Sequence, residues 1–324
     1  MNSIAFYREK FLTYLNDHID SREPKNLYDP MVYILNIGGK RLRPVSVLMT
    51  AELFDCPYEK ALDAALAIEI FHNFSLVHDD IMDDAPVRRG KPSIHEKWNI
   101  NTAILSGDAM LINAYQLFEN YDLETFSELA KLFTRTAIKV CEGQQYDVDY
   151  EEQDDVEIKD YIRMIEYKTA VLVGAAMEMG AIVAKVEKPC RAEIYRYGCL
   201  LGIAFQLMDD YLDIYGDYES FGKQIGGDII ENKKTFLYLT ALKEATPADR
   251  KRLLALYGGT KCTSEEKIAE VTQIFERTGV AQKTREEIKA YTKEAFKLLK
   301  EINLPDDKKV VLKDFGKKLM TRKK

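Results

Sequence analysis

At 324 residues and 46% apolar side chains the chain has enough material for a large core, and no Gly/Ser linker, Pro-rich tract or fixed-period repeat divides it. A formal charge of −7 excludes a broad nucleic-acid surface, which would carry a basic excess, so anionic ligands must be held by local basic clusters. Five scattered cysteines, Cys56, Cys141, Cys190, Cys199 and Cys262, lack CxxC pairing and zinc-site spacing, which implies free thiols in a reducing cytoplasm.

Residues 1–10 already carry Arg8, Glu9 and Lys10, so no secretory leader is expected. Apolar residues recur at helical spacing over residues 3–20 and 28–37, and the second segment stops at Gly38-Gly39. GGKRLRP follows. Pro44 suits the first position of a helix reaching Leu53, which leaves Lys40, Arg41 and Arg43 in the loop feeding a helix N-terminus, a natural anion site. Taken alone, three basic residues in seven read as a solvated loop, and the acidic helix that comes next changes that weighting.

Residues 61–82 predict a long helix in which His72, Ser75, Asp79 and Asp83 fall close to one face. Four aspartates, Asp79, Asp80, Asp83 and Asp84, crowd its end. Asp79 and Asp83 stack one turn apart and can both reach one hard cation. His78 reads as a core histidine. The segment APVRRGKP predicts a loop whose adjacent side chains point to opposite sides, so that Arg88 and Arg89 suit two different anions.

Helical patterns continue over residues 102–119, 123–146 and 158–186. In EGQQYD, Gln144 and Asp147 share a face, and residues 149–155 read as a solvated turn. Lys168 and Thr169 precede AVLVGAAMEMGA, whose small residues suit the close approach of a helix or a long ligand. The apolar run 170–186 contains Glu178 and Lys185, so it reads as a core helix and not an integral membrane segment.

A second acidic set, FQLMDDYLDIYGD, lies in a helix beginning near Arg191, with Gln206, Asp209 and Asp213 spaced three and four apart. FGKQIGGDIIENKKT then supplies Lys223, Lys233 and Lys234 around Asp228. One DDxxD is a weak signal, but two on apolar helices, each trailed by a basic glycine-containing loop, are a strong one. Clustered like charges there are destabilising unless a cation neutralises them. Residues 237–244, 264–278, 281–302 and 308–319 predict scaffold helices, and the basic KKLMTRKK end reads as solvated. With no sustained period-two alternation, the expected fold is all-α, one continuous domain over residues 1–324.

Taken in order, GGKRLRP, HNFSLVHDDIMDDAPVRRGKPSIH, SGDAML, EGQQYD, KTAVLVGAA, FQLMDDYLD and GKQIGGDIIENKKT make the chain resemble the trans-type isoprenyl diphosphate synthases, the polyprenyl synthetase family. The resemblance implies a helical bundle around a deep central cavity, a homodimer, and head-to-tail condensation of isopentenyl diphosphate with an allylic diphosphate. It implies three Mg²⁺ ions, with Mn²⁺ as a substitute, held by Asp79, Asp83 and Asp209, with Asp80, Asp84, Asp147, Asp213 and Asp228 as further or water-mediated ligands. Arg88, Lys168, Lys223 and Lys233 match residues that grip the allylic diphosphate. Lys40, Arg43, His72 and Arg89 match the isopentenyl diphosphate site, and Thr169 and Gln206 match polar groups facing the carbocation.

Residues just before the first motif set cavity depth in this family. Small Ser75 and bulky Phe74 resemble the type that stops at twenty carbons, geranylgeranyl diphosphate, the alternative being a fifteen-carbon farnesyl product. A terpene cyclase would mix Asn, Ser/Thr and Glu in its second metal site, and DDYLD does not. A non-catalytic partner subunit would lose an acidic motif or its basic loop, and neither is missing.

Overall fold

Ser3 shows how the chain starts its helices: its side chain accepts a hydrogen bond from the Phe6 backbone N–H and caps α1 (Ile4–His18). The computed structural model describes residues 2–216 and 226–320. After α1 come α2 (Lys25–Asn36), α3 (Leu42–Leu53), α4 (Leu62–Met82), the short α5 (Ile94–Lys97) and α6 (Ile100–Gln116). Next are α7 (Leu123–Glu152), α8 (Ile158–Ile165), α9 (Val171–Val183) and α10 (Lys188–Tyr215). Further helices run over Gly227–Ile230, Phe236–Glu244, Pro247–Tyr257, Ser264–Thr278, Val280–Glu301 and Asp306–Met320. Among the described residues the only strands are the two-residue β1 (Val87–Arg88) and β2 (Lys91–Pro92), so the fold is all-α. No described helix is long and apolar enough to cross a membrane.

Several boundaries differ from expectation for identifiable reasons. α3 begins two residues early, at Leu42, with Pro44 still inside the first turn, where its missing N–H leaves no bond unmade. α7 continues through the expected turn to Glu152, supported by the i,i+4 bond from Gln145 Nε2 to Asp149 Oδ1 at 2.7 Å. The predicted 158–186 helix is interrupted by a π-helical turn, Glu166–Ala170. The helix Pro247–Tyr257 was not anticipated. Its signals were present in TPAD: Thr246 accepts from the Asp249 N–H and Pro247 opens the first turn.

The chain forms two compact units, one of Met1–Thr136 with Leu172–Tyr195 and one of Ala137–Val171 with Arg196–Lys324. In the first, α3 and α4 bury Val45, Val47, Leu48, Leu66, Ile68 and Phe71. Phe71 packs edge-on against Phe133 at 5.0 Å, and Phe133 in turn meets Phe118 at 5.2 Å. In the second, Tyr161, Ile165, Leu207, Phe236, Leu237, Ile274 and Phe275 belong to one core.

The small residues of α9 serve helix packing at Gly180. A Cβ there would lie 2.3 Å from the Val47 carbonyl oxygen and 2.9 Å from the Ala51 nitrogen, so the backbones of α9 and α3 touch. Gly180→Ala is therefore expected to lower stability by about 1–3 kcal/mol, the usual cost of overpacking against rigid backbone. Urea denaturation measures it, and an unshifted midpoint would contradict the close approach.

Candidate functional site

The basic loop of the first unit is built on Arg41. This residue takes a left-handed backbone, φ 54°, and its side chain is buried, paired with Glu69 and donating to the Leu35 carbonyl. Asn73 closes the network by donating to Glu69 Oε1 at 3.1 Å and to the Glu69 carbonyl at 2.7 Å. Breaking a buried ion pair leaves an uncompensated charge, so the Arg41–Glu69 pair fastens the loop to α4 at this point. Arg43 is thereby brought to His72, with Nη1 to Nε2 at 3.1 Å, while Lys40 stays exposed. Burial, then the charges of Arg43, Arg89, Arg88 and Arg41, hold His72 well below the ordinary imidazole range. A guanidinium only donates, so the Nε2 of His72 accepts and its proton resides on Nδ1.

Asp79 opens the last turn of α4, and Asp83 is its C-cap, with the Asp83 N–H bonded to the Asp79 carbonyl at 2.9 Å. Asp79 and Asp83 are therefore one turn apart, and Asp84 leaves the helix in a left-handed turn at φ 48°. Asp80 differs from its neighbours. It is 1% exposed and accepts two bonds from Arg88, one from Nε at 2.8 Å, while Arg88 Nη2 lies 3.6 Å from Asp79 Oδ2. Burial pushes the Asp80 carboxyl up, against the pull of Arg88. The expected loop is a hairpin: Arg88 pairs with Lys91 across a two-residue turn in which Arg89 and Gly90 both have positive φ. The two arginines diverge. Arg88 turns to Asp80, and Arg89 donates to the Gly38 carbonyl, lying so close to Gly39 that a Cβ there would meet its guanidinium at 2.7 Å. Phe74 is buried between Phe71, 5.5 Å away, and His78, 4.9 Å away, and Ser75 bonds the His72 carbonyl at 2.9 Å. His78, expected in the core, is only half-buried, with its Nε2 3.2 Å from the Ile104 carbonyl.

In the second unit Asp147, Lys168, Thr169, Gln206, Asp228 and Lys233 line one cavity of about 110 Å³. Lys168 and Thr169 lie in the π-helical turn. The turn rests on Gly143, where a Cβ would be 2.2 Å from the Lys168 nitrogen, and Lys168 Nζ reaches Asp147 at 2.6 Å. Thr169 donates to Gln206 Oε1 at 3.1 Å, and Gln206 Nε2 donates to Asp210 Oδ1 at 3.0 Å. Asp213 is buried and accepts from the Asp228 N–H at 3.1 Å, which ties the returning chain to α10 beside half-buried Asp209. Lys233 pairs with Glu231 at 3.0 Å, and its N–H bonds the Asp228 carbonyl at 2.9 Å. Lys223 lies outside the described residues.

Sequence reasoning passed over Tyr161 and Asp210. Asp210 is 5% exposed and accepts from the Tyr161 hydroxyl as well as from Gln206. Burial raises its carboxyl to about 7, with Asp209 and Asp213 adding to the rise and the two hydrogen bonds opposing it. Asp228 is pushed well up by burial, Asp210 and Asp213, against Lys233. Oxygen donors crowded until their charge is unfavourable are a fit for a hard divalent cation.

His72 makes a pH prediction. Below about 6.5 the unfolded imidazole takes a proton that the folded one refuses, so the unfolded state binds more protons there. Stability should fall as pH drops below about 6.5, with His72 contributing up to ~1.4 kcal/mol per pH unit. In His72→Gln that share disappears. Denaturation of the metal-free protein between roughly pH 5 and 7 reads the slope. An unchanged slope would mean that folded His72 is protonated.

Comparison with known proteins agrees with this geometry. A model of the polyprenyl synthetase family matches residues 24–275. The chain is 38% identical over 283 residues to a short chain isoprenyl diphosphate synthase of Methanothermobacter thermautotrophicus, covering 87% of this chain and 86% of that one. It is 37% identical over 282 residues to a geranylgeranyl diphosphate synthase of Saccharolobus solfataricus, covering 86% and 84%. Among solved structures, a geranylgeranyl pyrophosphate synthase superposes with a TM-score of 0.96 at 49% identity over the whole of both chains. The geranylgeranyl pyrophosphate synthetase of Pyrococcus horikoshii superposes with a TM-score of 0.90 at 31% identity, covering 98% of each. The chain belongs to the polyprenyl synthetase family.

Proposed function

We propose that the protein condenses isopentenyl diphosphate head-to-tail with an allylic diphosphate of five, ten or fifteen carbons to form geranylgeranyl diphosphate. The observation that carries this reading is the repeated acidic motif, at the end of α4 and on α10, with lysine or arginine side chains beside each. Family membership and the geranylgeranyl diphosphate synthases among its relatives support it. The matched stretch runs through both compact units, which supports reading the chain as one polyprenyl synthetase domain.

The ligands proposed for Mg²⁺, or for Mn²⁺ in its place, are Asp79, Asp83 and Asp209, with Asp84, Asp147, Asp213 and Asp228 as further ligands. Bound there, the ions neutralise charge on the departing diphosphate. Arg88, Lys168, Lys233 and Lys223 bind the allylic diphosphate. Asp147 aims Lys168, and Asp80 acts as the positioning residue that fixes Arg88 instead of as a metal ligand. Lys40, Arg43, Arg89 and His72 bind isopentenyl diphosphate, His72 through its Nδ1–H donor. Thr169 and Gln206, oriented through Asp210, present fixed dipoles to the developing allylic cation. No side chain stands out as the base, so the departing diphosphate takes the proton.

Phe74 is proposed as the bulky wall that ends growth at twenty carbons, with Ser75 letting the tail pass and Phe71 backing the wall. Mass spectrometry of products made from isopentenyl diphosphate, Mg²⁺ and each starter tests the reading. A twenty-carbon product is expected, a fifteen-carbon one would make this a farnesyl diphosphate synthase, and no product would sink the enzyme assignment. Asp79→Asn and Asp209→Asn should each lower turnover about 10²–10³-fold without unfolding. Phe74→Ala should lengthen the product, and an unchanged length removes Phe74 from the wall.

A homodimer is proposed from α6, whose Ile100, Ile104, Leu105 and Ile112 are 55%, 40%, 59% and 65% exposed at helical spacing. Covering this stripe by a second copy predicts that Leu105→Lys with Ile112→Lys yields a monomer in sedimentation equilibrium. That no disulfide joins the described cysteines supports a cytoplasmic location.

A further inference from the structure

The hairpin bearing Arg88 and Arg89 closes on a group of side chains of which the proposed reaction uses only Asp84, as one of its further metal ligands. The Ser93 N–H bonds the Pro86 carbonyl at 3.1 Å, which brings the start of α5 back beside the end of α4. One ligand atom from each of Asp84, His95 and Glu96 lies within 4.8 Å of the other two. Asp84 and Glu96 are exposed, but the His95 side chain is only 4% exposed. Both its ring nitrogens are shielded from solvent and neither has a hydrogen-bond partner, the nearer Glu96 oxygen standing 3.8 Å from Nε2. A buried donor or acceptor left unsatisfied is costly, so the imidazole is short of a ligand.

We infer that Asp84, His95 and Glu96 form a site for a borderline divalent ion of the Zn²⁺ or Co²⁺ class, separate from the carboxylate sites proposed for Mg²⁺. An imidazole nitrogen favours such ions, whereas Mg²⁺ prefers oxygen donors and retained water. Imidazole nitrogen and carboxylate oxygen are both ligands of Zn²⁺, and water can complete the shell. Metal–ligand bonds of about 2.0–2.2 Å place tetrahedral ligand atoms roughly 3.3–3.6 Å apart, so no pair of the set needs to close by more than about 1.5 Å. The two exposed carboxylates supply that movement by side-chain rotation while buried His95 stays fixed.

The placement gives the site a structural consequence. Asp84 precedes β1, and His95 and Glu96 follow β2, so an ion held by all three fastens the base of the hairpin. Arg89 occupies a left-handed turn, which is unfavourable for a non-glycine residue, and a fastened base opposes relaxation of that turn. Asp84 is thereby moved from the Mg²⁺ ligands to this site.

Metal-free full-length protein titrated with Co²⁺ in excess Mg²⁺, followed by visible absorption and calorimetry, tests the site without reference to turnover. One Co²⁺ equivalent is expected, weakened tenfold or more in Asp84→Asn, Glu96→Gln and His95→Gln and retained in Asp79→Asn. The two carboxylate variants change exposed groups and keep the test decisive should the buried His95 variant fold poorly. Failure to bind Co²⁺ against Mg²⁺, or equal binding by wild type, Asp84→Asn and Glu96→Gln, overturns the inference. A protein that binds Co²⁺ but makes no prenyl product would overturn the proposed reaction alone.

Discussion

The burial of one carboxylate in each acidic motif is the constraint on which the rest of the structure depends. Asp80 and Asp210 hold corresponding places, second in DDIMD and in DDYLD, and both are almost fully buried, while Asp79 and Asp209 remain half-buried. A buried carboxylate needs a partner within the protein. Asp80 takes Arg88, and Asp210 takes the Tyr161 hydroxyl and the Gln206 amide. Those partners are side chains proposed to touch substrate or to orient those that do. The second aspartate is thus an anchor in both motifs, and the hydrogen bonds its buried carboxyl needs are what put the arginine or the amide in place.

Close backbone approaches do the remaining positioning. Gly143 admits the π-helical turn so tightly that no side chain fits, and the turn widens the helix where Lys168 and Thr169 must project into the cavity. Gly202 repeats the device in the same unit, with a Cβ predicted 2.6 Å from the Ala170 Cα. In the first unit the corresponding investment is in left-handed backbone. Arg41, Asp84 and Arg89 all have positive φ, a costly conformation that persists where the surroundings over-determine it. Arg41 is held by Glu69 and the Leu35 carbonyl, and Arg89 by the Gly38 carbonyl.

How legible this was follows from the range of each interaction. Helical periodicity and the spacing of Asp79, Asp83, Asp209 and Asp213 are local, and they were readable together with the all-α class. The divergence of Arg88 and Arg89 was also readable, although RRGK is a two-residue hairpin turn and not an extended loop. What stayed hidden spans long separations. Arg41 and Glu69 are 28 residues apart, and Tyr161 and Asp210 are 49 apart. Nothing in GGKRLRP marks the first of its two arginines as the buried one, and nothing in DDYLD marks its second aspartate. The π-helical turn was hidden for another reason: its cause is a glycine on a different helix.

The neutrality of His72 joins the anchors to the chemistry. Burial first, and then the charges of four arginines, hold the imidazole neutral, and those arginines are the groups that would attract a diphosphate. When an anion arrives, that balance changes sign: bound phosphate oxygens would favour the imidazolium and make it a second donor. A neutral histidine inside a cationic loop therefore gives a site that adjusts its charge to its occupant. Lysine there would add permanent repulsion to the empty loop, whereas glutamine would keep the hydrogen bond and lose the adjustment.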